Sequence, residues 1–214
     1  MRGYTHEGST PSPGIYSLIY VKTINYKWDS NLSYIVGLIA TDGNLSKDKR
    51  HILFTTTDRQ LARTFTKCIG IKTRIALTPP SGFGKKPVFR INFSNVCLFR
   101  FLEEIGLMPN KTHSIGKLNI PDKYFADFLR GHLDGDGSVF TYIDRYMQYK
   151  GKRYTYNRLY TVFKSASAKH LRWIQSPIGE LLHIKGALNS YQKKDRKYPV
   201  WNLRFSKTSL LTLL

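Results

Sequence analysis

Two aspartates stand where helices normally avoid them. The stretches "YIVGLIATDGNL" (34–45) and "LRGHLDGDGSVF" (129–140) each read as an apolar helix with an internal glycine that runs into an acid. These acids are Asp42, before Gly43, and Asp136, between Gly135 and Gly137. A helix C-terminus carries partial negative charge, so a carboxylate there is disfavoured. The second helix is expected to end at about Asp134, with Gly135 and Gly137 opening the turn that stops it. A single Asp-Gly pair is an ordinary turn, but two in matched settings call for one cause. Helices with glycine in mid-course, here Gly37 and Gly131, can approach each other closely. Paired about a pseudo-twofold axis, they would gather Asp42, Asp136 and two negative helix ends into one small volume.

A divalent cation with hard oxygen ligands relieves that repulsion, and Mg2+ is the natural choice, with Mn2+ able to substitute. On a strongly basic protein such a cation suggests phosphodiester hydrolysis. It favours ionisation of water, offsets charge on the phosphate and helps the leaving oxygen depart. A lysine could assist either charge stabilisation or water activation, and Lys111 is the candidate among 34 basic residues. Asp134 has Ala40 in its place in the first stretch, which makes it a supporting or turn-bonding acid rather than a ligand. His132, inside an apolar helix, reads as a packed core residue.

The elements that position these acids come from an internal repeat. "KPVFRINFSN" (86–95) matches "YPVWNLRFSK" (198–207), "GIKTRIAL" (70–77) matches "HIKGALNS" (183–190), and "DRQLARTF" (58–65) matches "AKHLRWIQ" (168–175). These landmarks keep order and near-constant separation, whereas the two acids lie closer together. The second copy therefore carries an insertion of roughly 16 to 18 residues after its acidic helix. "IDRYMQYKGKRYTYNR" (143–158) fits it, as a long hairpin with Lys150-Gly151-Lys152 near the tip.

Each copy reads helix, strand, strand, helix, strand, strand, helix, with first-copy strands expected at Arg50–Thr56, Lys72–Thr78 and Pro87–Ser94. The last strand alternates, Phe89, Ile91 and Phe93 against Arg90, Asn92 and Ser94. Its twin sets Trp201, Leu203 and Phe205 against Asn202, Arg204 and Ser206. One face must pack on helices, and the other is free for a partner. The facing of "RHILFTTT" is ambiguous. The fold class is α+β: two pseudo-symmetric αββαββ(α) repeats, each a four-stranded antiparallel sheet, with the acidic helices packed at the centre. The expected division is an N-terminal extension over 1–28, a first repeat over 29–120 and a second over 121–214. Residues 1–14 read as disordered and Ile15–Trp28 as an extra strand. The second copy is expected to be cut short in its third helix, with no counterpart of Lys111.

The composition fits this picture. The 214 residues carry 34 Lys+Arg against 14 Asp+Glu, a net charge of +20, with a pI near 10.0 and an ordinary 41% hydrophobic content. Such a balance points to a polyanion, nucleic acid or an anionic membrane. No apolar run is long enough to span a bilayer, and the N-terminus lacks a signal-peptide layout. A soluble intracellular protein is expected. Cys68 and Cys97 read as buried free thiols, and the six histidines show no metal-ligand spacing.

"YIVGLIATDG" and "FLRGHLDGDG" closely resemble the paired signature of the LAGLIDADG homing endonucleases in their single-chain, two-repeat form, from about Asp29 onward. The resemblance implies saddle-shaped sheets lying along the DNA major groove. It also implies double-strand cleavage across the minor groove that leaves short 3′ overhangs. It makes Asp42 and Asp136 the metal-binding acids, adds the backbone carbonyls of Thr41 and Gly135, and gives Lys111 a place in the active site. The family's water-positioning glutamine does not carry over, because Thr56 and Ala166 fall near that place.

Residue types agree with a double-stranded DNA partner. Arg90, Asn92, Asn202 and Arg204 suit base edges, arginine favouring guanine and asparagine adenine. Arg74 joins them on a strand. The basic clusters at hairpin positions, Lys85 and Lys86, then Lys150, Lys152, Arg153 and Arg158, then Lys193, Lys194 and Arg196, suit phosphates. The rival reading is a binding protein of the same fold, an RNA maturase acting on intron RNA or a DNA-binding regulator without cleavage. A membrane partner is disfavoured, since no basic amphipathic helix is present.

Overall fold

In the computed structural model, residues 26–80, 86–149, 151–192 and 197–206 are described. The chain begins with helix α1 (Ser30–Asp42), opened by Asp29, whose carboxylate accepts from the Leu32 amide at 2.7 Å. Strands β1 (Gly43–Leu45) and β2 (His51–Thr56), helix α2 (Arg59–Ile69), strands β3 (Ile75–Thr78) and β4 (Val88–Ser94) and helix α3 (Val96–Glu104) complete the first repeat. The second contains α4 (Asp122–Asp136), β5 (Ser138–Tyr149), β6 (Lys152–Ser165), α5 (Ala168–Leu182), β7 (Ala187–Tyr191) and β8 (Val200–Ser206).

The two sheets have matching orders, β1-β2-β4-β3 and β5-β6-β8-β7, antiparallel throughout. In β4, Ile91 and Phe93 are buried while Arg90, Asn92 and Ser94 are exposed. In β8, Leu203 and Phe205 are buried with Arg204 exposed. The facing of β2 is now fixed. Ile52 and Phe54 enter the core, and Leu53 and Thr55 share the outer face with their partners Asn92 and Arg90.

Helices α1 and α4 cross at their glycines. A Cβ on Gly37 would lie 2.3 Å from the Phe128 carbonyl oxygen, and one on Gly131 would lie 2.0 Å from that of Tyr34. Both are below any tolerable contact, so only glycine lets the backbones meet. The Ser33 hydroxyl donates to the Tyr124 carbonyl across the same interface, at 2.8 Å.

Several boundaries differ from expectation. Helix α4 continues to Asp136, so Gly135 lies inside the helix rather than opening a turn. Both helices end on glycines in extended, not left-handed, conformation, Gly43 at φ −85° and Gly137 at φ −86°. The physical reason is that a strand starts at once after each helix, and an extended cap leads directly into it. Strand β3 starts at Ile75, which leaves Arg74 just outside it. The helix caps of α2 and α5 are Asp58 and Ser167, one residue earlier in the second copy than hydrophobic matching gave. The insertion is the long β5–β6 hairpin, turning at Gly151 with φ 74°. Cys68 and Cys97 are free but only half-buried. Of the expected N-terminal strand, only Tyr26–Trp28 is described. It is not a strand, and both aromatics pack on Phe101, with centroids 5.7 and 5.2 Å away. The expectations for residues 1–14 and for 207–214 fall outside the described residues. Among those described, no helix is long and apolar enough to cross a membrane.

Candidate active centre and nucleic-acid face

The glycine crossing sets the two acids side by side. Asp42 closes α1 and Asp136 closes α4, and a Cβ on Gly135 would lie 3.3 Å from an Asp42 carboxylate oxygen. The Asp42 carboxyl is raised to about 6, first by burial and then by the charge of Asp136, with Lys111 opposing. Asp136, more open to solvent, is also raised by desolvation, and both Lys111 and Lys164 pull it back. Among the described residues no cluster of three or more His, Cys, Asp or Glu side chains forms. The local donor set is therefore two carboxylates plus main-chain carbonyls. That set fits a hard, oxygen-seeking cation such as Mg2+, whose charge would offset the burial that raises both carboxyls and the repulsion that adds to it at Asp42.

Lys111 lies beneath this pair. Its side chain is buried, and the ammonium donates to the Gly43 carbonyl and, at 3.5 Å, to the Thr41 carbonyl. Burial lowers its pKa to about 8, although both aspartates pull it upward. Thr41 thus presents its carbonyl to the lysine, while its hydroxyl donates back to the Leu38 carbonyl at 2.9 Å.

Sequence reasoning missed several contacts here. Asp134 accepts from the Tyr34 hydroxyl of the other repeat at 2.8 Å, which fits its supporting role but could not be foreseen. Lys164 feels the charge of Asp136 and lies on the outer face beside Asn202, with Asn189 in the next strand. Its position on a strand that ends "VFKS" was the only signal. His132 and His170, scattered in sequence, stack at 5.3 Å among the buried rings of the second repeat.

The outer faces of both sheets carry the residues expected to meet DNA. Arg90 and Asn92 are exposed on β4, and Arg204 is exposed on β8 with its guanidinium 4.9 Å from the Tyr160 ring centroid. Asn202 is half-buried in an open cleft of about 340 Å3, which Lys164, Asn189, Arg204 and Phe140 also line. Arg74 and Lys86 are exposed in loops, and Arg158 is half-buried on β6. Lys152 and Arg153 belong to β6, at the hairpin tip. Lys85, Lys150, Lys193, Lys194 and Arg196 lie outside the described residues.

Two αββαββ units crossing at their glycine helices, each with an antiparallel four-stranded sheet, define a class of protein. Residues 29–106 match the family model of the LAGLIDADG-like domain. Solved structures share the fold over most of the chain. Meganuclease I-SmaMI bound to uncleavable DNA gives a TM-score of 0.53 at 14% identity, over 85% of this chain and 81% of that one. The I-LtrWI LAGLIDADG homing endonuclease bound to target DNA gives 0.51 at 14%, over 85% and 80%. Full-length DUF199/WhiA from Thermatoga maritima gives 0.55 at 16%, over 88% of this chain and 56% of that one. Residues 29–106 thus form a LAGLIDADG-like domain, and the two-repeat chain as a whole has the fold that the homing endonucleases and WhiA share. Among curated proteins, an A-type ATP synthase component of Methanopyrus kandleri is 30% identical over 106 residues, half of this chain. The match spans 10% of that relative's length.

Proposed function

We propose that the protein is a site-specific double-strand DNA endonuclease, acting as a monomer with divalent metal and leaving 3′ overhangs. The observation that carries this reading is the meeting of Asp42, Asp136 and Lys111 at the crossing of the two repeats. The two carboxylates, with the carbonyls of Thr41 and Gly135, would hold Mg2+ or Mn2+. When bound there, the cation supplies positive charge that favours ionisation of a water and offsets charge on the scissile phosphate.

The chain's own residues do the rest. With a pKa of about 8, Lys111 is close enough to neutral pH to hold or release a proton at Nζ. The rigid crossing keeps Asp42 and Asp136 at a fixed separation while the duplex is positioned. The outer faces of both sheets line the major groove, Arg90, Asn92, Asn202 and Arg204 reaching base edges. Arg74, Lys86 and the hairpin lysines and arginines contact phosphates and fix the register.

The test begins by selecting, from a pool of randomised duplexes, those the protein cuts in Mg2+. The selected duplex is then incubated with wild type, Asp42→Asn and Asp136→Asn, with Mg2+ or EDTA. Double-strand cuts that require metal and both acids support the proposal. Selective binding of DNA or intron RNA without any cutting would replace it with the binding-only reading, a maturase or regulator of the same fold.

A further inference from the structure

Lys111 belongs to the first repeat by sequence, but the structure holds it from the second. After Pro109 the chain makes a tight turn, with Asn110 at φ 56°. The Lys111 carbonyl accepts from the Ser114 amide at 3.0 Å and from the Ile115 amide at 2.8 Å. Ile115 then presents its own carbonyl to the Ser167 hydroxyl at 2.6 Å. One residue on, the Gly116 carbonyl accepts from His170 Nδ1 at 2.7 Å. Ser167 and His170 open helix α5, and both are buried. His170 lies within a shell of rings, 5.3 Å from His132, 5.3 Å from Trp173 and 6.3 Å from Phe128. Lys169, between the two clamp residues, runs its side chain over Gly116 so closely that a Cβ there would sit 3.0 Å from it.

We infer that Ser167 and His170 are positioning residues for Lys111. They clamp the strap that carries the lysine, so that its ammonium reaches the Gly43 and Thr41 carbonyls beside the paired acids. The physical warrant is a relay of buried hydrogen bonds, from Ser167 hydroxyl through Ile115 to the Lys111 carbonyl, with a second bond one residue away. In a water-excluded setting such bonds are strong and their loss is felt along the chain. This inference rests on the endonuclease reading above.

Two pairs of variants separate clamping from simple folding. Ser167 also caps α5 through the His170 amide, at 3.4 Å. Ser167→Asp keeps a good cap but replaces the donor to Ile115 with a carboxylate that repels its carbonyl. Ser167→Thr keeps both roles. His170→Asn places a donor near the Nδ1 position, whereas His170→Gln places it near Nε2.

The substrate is a duplex selected from the randomised pool. The expected result is a fall in kcat of about ten- to hundredfold for Ser167→Asp and His170→Gln. DNA affinity should be unchanged, and activity should be restored in Ser167→Thr and His170→Asn. Independently of activity, amide exchange at Ser114 and Ile115 should speed up in the same two damaged variants and not in the conservative ones. Unchanged kcat and unchanged exchange in Ser167→Asp and His170→Gln would overturn the clamp while leaving the nuclease intact. A wild type that cuts no duplex in the pool would overturn the nuclease reading and the catalytic purpose of the clamp, while exchange at Ser114 and Ile115 would still decide the clamp itself.

Discussion

The two repeats share a frame but divide the labour differently. In the first, Arg90 precedes Asn92 along the outer face of β4. In the second the order is reversed, Asn202 preceding Arg204 on β8. The first repeat opens its sheet with three residues, β1, and the second with the twelve of β5. The first repeat supplies the lysine, and the second supplies the hydrogen bonds that hold it. Among the described residues, the first repeat buries no histidine, while the second buries His132 and His170. Near-symmetry therefore fixes where the centre lies, and the departures from symmetry make the two halves chemically unequal.

The most damaging way to break the comparison is at the crossing they share. Gly131→Ala would drive a methyl to 2.0 Å from the Tyr34 carbonyl oxygen, and backbone cannot move aside as a flexible side chain can. A loss of about 3 kcal/mol or more is expected in urea unfolding. Gly70→Ala is the control. Gly70 has open space around it and φ 66°, so only its left-handed conformation is penalised, by about 1 kcal/mol.

Next in size is the loss of an acid. Asp42→Asn is expected to lower metal-dependent cleavage by about a hundredfold or more and, without metal, to raise the melting temperature. The sign follows from the raised carboxyl. Above about pH 6 the Asp42 carboxylate is fully ionised and penalised, first by burial and then by Asp136, so the gain appears there and fades as pH falls toward 4. Melting curves in EDTA at about pH 4.5 and 7.5 measure it, and a gain confined to the lower pH would contradict the electrostatic account.

The outer faces proposed to read DNA give a smaller, position-specific effect. Arg90→Ala should relax the preference for guanine at one base pair and Asn202→Ala that for adenine at another, each by about 1–3 kcal/mol. Selection from the randomised pool should place these two positions in opposite halves of the site. Loss at the same position would undo the two-sheet assignment.

The buried histidines sharpen the contrast in acid. His132 and His170 are held neutral, with pKa lowered to about 3 and about 4 by burial, whereas unfolded imidazoles titrate near 6.5. Their contribution is present above about pH 6.5 and is lost as pH falls through that range toward 4. Asp42 acts in the opposite sense between about 4 and 6. In His132→Phe, the fall in urea midpoint between about pH 7.5 and 5 should be smaller than in wild type.

The least effect concerns the helix starts. Asp29 caps α1 with its side chain, whereas Pro121 offers α4 no side-chain bond. Asp29→Ala should cost about 1 kcal/mol, and Pro121→Ser should be neutral or slightly stabilising.

Much of the frame was legible in the sequence because it is written in local signals. Glycine within an apolar helix, acid at its end and period-2 strands located both repeats, both acids and the inward faces of β4 and β8. The long hairpin followed from unequal spacing of the landmarks. What could not be read depends on contacts between distant segments. Tyr34 with Asp134, His132 with His170, and Ser167 with Ile115 have no neighbouring pattern that announces them. The end of α4 was misjudged for a related reason. Gly135 looks like a helix stop locally, yet close packing against Thr41 at the crossing makes it a necessary helical residue. Lys164 was passed over because only the strand pairing reveals its place: it sits opposite Asn202 as Thr55 sits opposite Arg90 in the first sheet, and a threonine there announces no role for a cation.

The glycine crossing also shapes the protein's birth. Helix α1 emerges from the ribosome before α4, with Ile35, Val36, Leu38 and Ile39 all destined for full burial. Its partner α4 lies roughly ninety residues further along, several seconds of synthesis away. During that interval a sticky apolar helix has only its own repeat to shelter it, and the closing contact is strongly non-local. A centre formed this late leaves that apolar helix without its native partner until the second repeat is made. It also means that the acidic pair comes into existence only when the second repeat docks on the first.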